Sequence, residues 1–77
     1  MAVKIFGVTA NSHADRAKIK SGESLLTING NIIEDVLDYR FHQVNRDLTL
    51  EIQDGNGDVR TVKIYKSEYE EIGLEFE

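Results

Sequence analysis

Asp54-Gly55-Asn56-Gly57 leaves little choice about what surrounds it. Before it, Leu48, Leu50 and Ile52 alternate with Thr49, Glu51 and Gln53; after it, Val59 to Lys66 returns with Val62 and Ile64 on one side. A period of two puts alternate side chains on one face of a strand, and a Gly- and Asn-rich turn reverses the chain between two such strands. The pattern therefore fixes an antiparallel hairpin with one apolar face. That face must be covered by the rest of the chain.

The rest of the chain is short. With 77 residues it makes one domain spanning 1–77, and a domain of that size buries only about 60% of the surface its unfolded chain exposes. There is no Cys to supplement the core through a disulfide, a zinc-thiolate or an iron–sulfur site. Hydrophobic residues at 40% are still too many for a disordered chain.

The covering elements can be read in order. Val3 to Val8 reads as one strand, and Ser12 with Asp15 three positions later is a capping pattern that predicts a short helix from His13 to about Lys18. Ser24 to Ile28 is a second strand, turned by Asn29-Gly30 into an extended piece over 31–33. Asp35, with Asp38 three residues on, opens the main helix, expected over Asp35–Asn45. Leu37, Phe41, Val44 and Leu48 recur at helical spacing and predict its core-facing side, with Val36, Tyr39, Arg40 and Gln43 on a more mixed neighbouring side. A polar loop from Ser67 to Glu71 leads to a last strand, Ile72 to Phe76. Five or six short strands with two helices, not alternating regularly, predict an α+β fold or a partly open barrel or sandwich.

Charge narrows function. Nine basic against fourteen acidic residues give a net charge of −5. Nucleic acid and anionic membranes both select Lys- and Arg-rich surfaces, so neither is an expected partner. No run approaches the ~20 apolar residues that span a bilayer. The expectation is a cytoplasmic, monomeric domain.

Catalytic and metal patterns are weak. Ser12, His13 and Asp15 have the residue types of a hydrolase triad but lie on one turn, and capping explains them better. His42 has no acid or nucleophile partner in its neighbourhood of sequence. Asp54, Asn56 and Asp58 begin a calcium-loop pattern, yet Val59 and Tyr65 occupy the positions that need Gly and Glu. Glu68, Glu70, Glu71, Glu75 and Glu77 lack any His or Cys among them, so the run reads as a solvated loop. The expectation is a non-enzyme with no metal and no cofactor in this chain.

Two stretches carry a family resemblance. Asn11-Ser12-His13-Ala14, Ala17-Lys18-Ile19 and Gly22-Glu23-Ser24-Leu25-Leu26-Thr27-Ile28-Asn29-Gly30 resemble the middle of a PDZ domain. Ile72-Gly73-Leu74-Glu75-Phe76 resembles the Gly-Leu-Gly-Phe carboxylate-binding loop of that family. The loop comes last here, so the chain resembles a circularly permuted PDZ-like domain. With Asp38-Tyr39-Arg40-Phe41 it is similar to the N-terminal PDZ-like domain of bacterial radical-SAM-like iron–sulfur proteins, whose cofactor lies downstream.

The resemblance implies a peptide-binding module working by β-augmentation between strand 72–76 and helix 35–45. The implied site residues are Ile72, Gly73, Leu74, Glu75, Phe76, Val36, Tyr39, Arg40 and Gln43, with Lys66 as the basic residue before the loop. The implied partner is a polypeptide segment, from another protein or from the chain's own continuation. In the second case the domain is an intramolecular docking unit with no free ligand. Lys18 stands where the family often has Gly; a left-handed backbone there would make Lys unfavourable by about 1 kcal/mol.

Overall fold

The computed structural model describes residues 2–77. In chain order the elements are β1 (Val3–Lys4), β2 (Gly7–Val8), α1 (His13–Arg16), β3 (Ser24–Ile28) and β4 (Asn31–Ile32). They continue with α2 (Val36–His42), β5 (Asp47–Gln53), β6 (Val59–Tyr65) and β7 (Leu74–Glu75). The result is an α+β fold, with antiparallel strands that do not close into a barrel.

The hairpin forms as its pattern dictates. β5 and β6 pair from Asp47 opposite Tyr65 to Gln53 opposite Val59. The Asp54 carboxylate accepts from the amides of Asn56 (2.8 Å) and Asp58 (3.0 Å), so it serves the turn. Leu48, Leu50, Ile52, Val62 and Ile64 are buried on one face. β3 lies against β5, and β1 and β4 lie on the far side of β3, which gives the sheet order β1-β3-β5-β6 with β4 as a flap. Ile5, Ile19, Leu25, Ile28, Ile33 and Ile72 complete the core. Burying each such side chain stabilises the fold by about 1.5–3 kcal/mol over leaving it in water.

The first strand is split rather than continuous. Val3 and Lys4 pair with β3, but Gly7 and Val8 pair with β7 in a separate two-stranded sheet. The chain changes sheets at Ile5–Phe6: the Ile5 amide donates to the Glu23 carbonyl (2.7 Å) and the Phe6 amide to the Glu75 carbonyl (2.8 Å). Ile5 fills the core while Phe6 is left 63% exposed.

α1 starts as expected, with Ser12 Oγ accepting from the Asp15 amide at 3.1 Å. It stops two residues before the expected end because Lys18 is left-handed, at φ 67°. The Lys18 amide then reaches the Asp15 carbonyl and the Ile19 amide the Ala14 carbonyl, a Schellman closure.

α2 overturns an expectation about its buried side. Leu37 and Phe41 are each 74% exposed, whereas Tyr39 and Gln43 are each only 3% exposed. Both sets have helical spacing, so periodicity alone could not choose. The choice is made by Phe76, whose ring meets Tyr39 edge-on at 4.8 Å. The helix also ends at His42 rather than Asn45: Gln43 caps it, and the Asn45 side chain donates to the His42 carbonyl at 3.4 Å.

Candidate functional site

β7 is the strand with a side to spare. On one edge it pairs with β2, the carbonyls of Gly73 and Glu75 accepting from Thr9 and Phe6, both at 2.8 Å. Backbone groups alternate in direction along a strand, so those of Leu74 and Phe76 turn to the opposite edge. No strand among the described residues pairs with that edge. It faces α2 across a groove of about 650 Å³, within the range typical of ligand sites.

The helix supplies Val36, Tyr39 and Arg40 to one wall, and the cap that follows it adds Gln43 and Val44. The loop and strand supply Tyr69, Glu71, Leu74, Glu75 and Phe76 to the other. A second cavity of about 370 Å³ shares Val36 and Phe76 with the first and continues along Val3–Phe6 toward Ser21 and Gly22. The first is the more polar of the two and the second the more apolar. The Tyr39–Phe76 edge-on pair ties the walls together between them, a contact type worth about 0.5–1.5 kcal/mol beyond burial.

Seven of the ten residues named from sequence therefore line the groove: Val36, Tyr39, Arg40, Gln43, Leu74, Glu75 and Phe76. Ile72 sits in the core with no exposure. Gly73 backs onto α1, where a Cβ would come within 2.3 Å of Ser12. Lys66 is also outside the groove lining: its ammonium donates to the Ser67 carbonyl at 3.3 Å, and burial pulls its pKa down against the nearby charges of Glu70, Glu71 and Glu68.

Val44, Tyr69 and Glu71 also line the groove and are not among the site residues named from sequence. The Ser67–Glu71 loop is solvent-exposed as its polar sequence suggests, and it is also tied to the helix end. The Tyr69 amide donates to the Val44 carbonyl at 3.0 Å, with Tyr69 itself left-handed at φ 69°. Glu70 anchors the loop from the other side, accepting from the Ser67 amide and from His13 Nε2, both at 3.1 Å. Those two donors, the Ser67 amide first, hold the Glu70 carboxyl below its usual range. An Arg guanidinium can only donate. His13 Nδ1, 3.2 Å from Arg16 Nη2, is thus the acceptor and Nε2 carries the proton toward Glu70.

Polar bonding in the groove is incomplete. Gln43 Nε2 donates to Glu71 Oε2 over 3.4 Å, which leaves Gln43 Oε1 as an acceptor with no donor. The Tyr39 hydroxyl is likewise buried without a partner. Burial, and then the charge of Glu71, push the Tyr39 phenol pKa up; the Leu74 amide and Arg40 act the other way, without the amide completing a well-formed hydrogen bond. Glu75 is differently placed, with Oε2 accepting from the Thr9 hydroxyl at 2.9 Å.

No known family model matches this chain, and no curated protein matches it.

Proposed function

We propose that this chain is a PDZ-like polypeptide-binding module that takes an extended segment as an added strand on the free edge of β7. The observation that carries the reading is the unpaired edge at Leu74–Phe76, set opposite α2 across the groove. An edge with free amides and carbonyls is a template for another strand. A helix alongside it confines the added strand and gives alternate side chains their pockets. The occupant is a polypeptide segment of the same chain or of another, since both present the same backbone groups.

A strand laid along β7 runs from the Glu71 end of the groove to Phe76. In this reading Lys66 does not receive a terminal carboxylate, because its ammonium is tucked against its own backbone. Internal segments are the better fit.

Titration of the isotope-labelled chain with a library of end-capped heptapeptides, followed through amide shifts, tests the proposal. The expected result is shifts concentrated at residues 73–76 and along Val36–Gln43. Absence of any shift at millimolar peptide overturns it.

A further inference from the structure

The groove combines three features that a plain strand-addition site does not need. Two wall side chains, Tyr39 and Gln43, are each 97% buried, and each holds a buried polar atom without a hydrogen-bond partner. They lie one helical turn apart, so both belong to one stretch of wall. Among the described residues these are the buried side-chain polar atoms without partners, and such atoms are rare because leaving them unpaired is unfavourable. Beside them is the carboxylate of Glu71, in contact with Gln43 Nε2. Gln43 cannot be turned round to hide its oxygen, because that would set Oε1 against the Glu71 carboxylate. At the lip is Tyr69, 72% exposed and lining the same groove.

Each of these groups can accept a hydrogen bond, and the Tyr39 phenol can also donate one. Gln43 Oε1 accepts only, Glu71 accepts and is anionic, and the phenol of Tyr39 accepts through its oxygen. A tyrosine ring attracts a cation to its face. We infer that the Tyr39–Gln43–Glu71 end of the groove is a subsite for a Lys or Arg side chain of the bound segment. The inference rests on the peptide-binding reading above and adds the chemical class of its partner.

Arg40 is the basic residue among the groove-lining side chains, and it opposes a second cation. It is exposed and thus screened by solvent, as are Glu71 and Glu75. At the buried phenol of Tyr39, Glu71 raises the pKa and Arg40 opposes it. Glu75 adds a second carboxylate to the lining. The net charge of −5 draws basic segments toward the chain as a whole.

The test uses the end-capped heptapeptide Thr-Val-Thr-X-Thr-Val-Thr, with lysine, norleucine or glutamate at X, titrated into the 77-residue chain and read by calorimetry and amide shifts. Charge-assisted hydrogen bonds predict that the lysine peptide binds about tenfold tighter than norleucine, with glutamate weakest. Raising salt from ~50 to ~500 mM narrows that ratio. Glu71→Gln is expected to reduce the lysine-to-norleucine ratio about fivefold or more, and Tyr39→Phe to reduce it less. Glu68→Gln removes the same charge from the same loop outside the groove and should leave the ratio within twofold. Equal binding of lysine and norleucine, or equal effects of Glu71→Gln and Glu68→Gln, overturns the subsite while strand addition stands. Failure of all three peptides to bind overturns both.

Discussion

The guanidinium of Arg60 grips both carboxylate oxygens of Glu23, each at 2.8 Å, and its Nη2 also donates to the Lys18 carbonyl at 3.1 Å. One side chain of β6 thereby fixes the loop that follows α1 and the residue that starts the run into β3. The loop is also held by the Lys20 amide on Glu23 Oε1 and by the Gly22 amide on the Ile5 carbonyl, both at 2.8 Å. A bidentate Arg–carboxylate pair is a geometric lock as well as an attraction. It explains how a chain with no Cys keeps the α1–β3 corner in place.

The pair makes stability depend on acid. The hydrogen bonds from Arg60, followed by the Lys20 amide, hold the Glu23 carboxyl below its ordinary 4.5 despite burial pushing the other way. The unfolded chain therefore binds a proton before the folded one does. The contribution of Glu23 is present above pH 4.5 and is lost as pH falls through the lowered folded value. Glu23→Gln is expected to destabilise by about 1 kcal/mol at pH 7, modest because Arg60 is partly solvent-screened. It should also flatten the loss of stability below pH 4.5, measured by urea unfolding across pH 3 to 7. An unchanged acid slope in the variant would contradict the assignment.

Lys18 occupies a backbone position made for glycine. Its φ of 67° closes α1, with the amides of Lys18 and Ile19 on the carbonyls of Asp15 and Ala14. Its bond to Arg60 uses the carbonyl, which any residue provides. Lys18→Gly should raise stability by up to about 1 kcal/mol, while Lys18→Ala should give no gain. Denaturant midpoints of the two variants check this directly.

Local signals were legible in the sequence and distant ones were not. The Asp54–Asp58 turn, the alternation in β5 and β6, and the Ser12 and Asp35 caps depend on residues within a few positions of one another, and all appear as read. The split at Ile5–Phe6 depends on Glu23 and Glu75 bidding for adjacent amides, which no local pattern carries. The facing side of α2 is decided by Phe76. For the groove, the helix and strand residues came from the family resemblance, which implies that those two elements lie side by side. Glu71 and Tyr69 were hidden because a polar loop carries no periodicity, and a left-handed Tyr is a conformation that sequence does not announce.

Gly73 carries two demands at once. Its φ is +100°, and a Cβ there would lie 2.3 Å from both Cβ and Oγ of Ser12. Gly22 shares the first demand, at φ +93°, but has nothing within 4 Å of a built Cβ. Gly22→Ala isolates the conformational penalty, about 1 kcal/mol. Gly73→Ala should exceed it by about 1–3 kcal/mol, the range for overpacking a tight site. Thermal unfolding of both variants separates the terms; equal losses would show that Ser12 gives way freely.

The phase of α2 gives a contrast that can be measured on one helix. The Tyr39 side chain lies against Phe76 in the groove wall, while Leu37 and Phe41 stand in water, Phe41 touching only the edge of the His42 ring at 4.9 Å among the aromatic pairs. Truncating a buried aromatic removes both its transfer energy and its packing, so Tyr39→Ala should destabilise by about 3–5 kcal/mol. Exposed apolar residues contribute little, so Leu37→Ser and Phe41→Ser should each stay within about 0.5 kcal/mol. If the helix instead presented the side that its Leu and Phe spacing suggests, the order would reverse. The serine variants would unfold the chain and Tyr39→Ala would be tolerated. Chemical denaturation of these three variants decides which residues α2 buries, and so whether Tyr39 stands where the groove needs it.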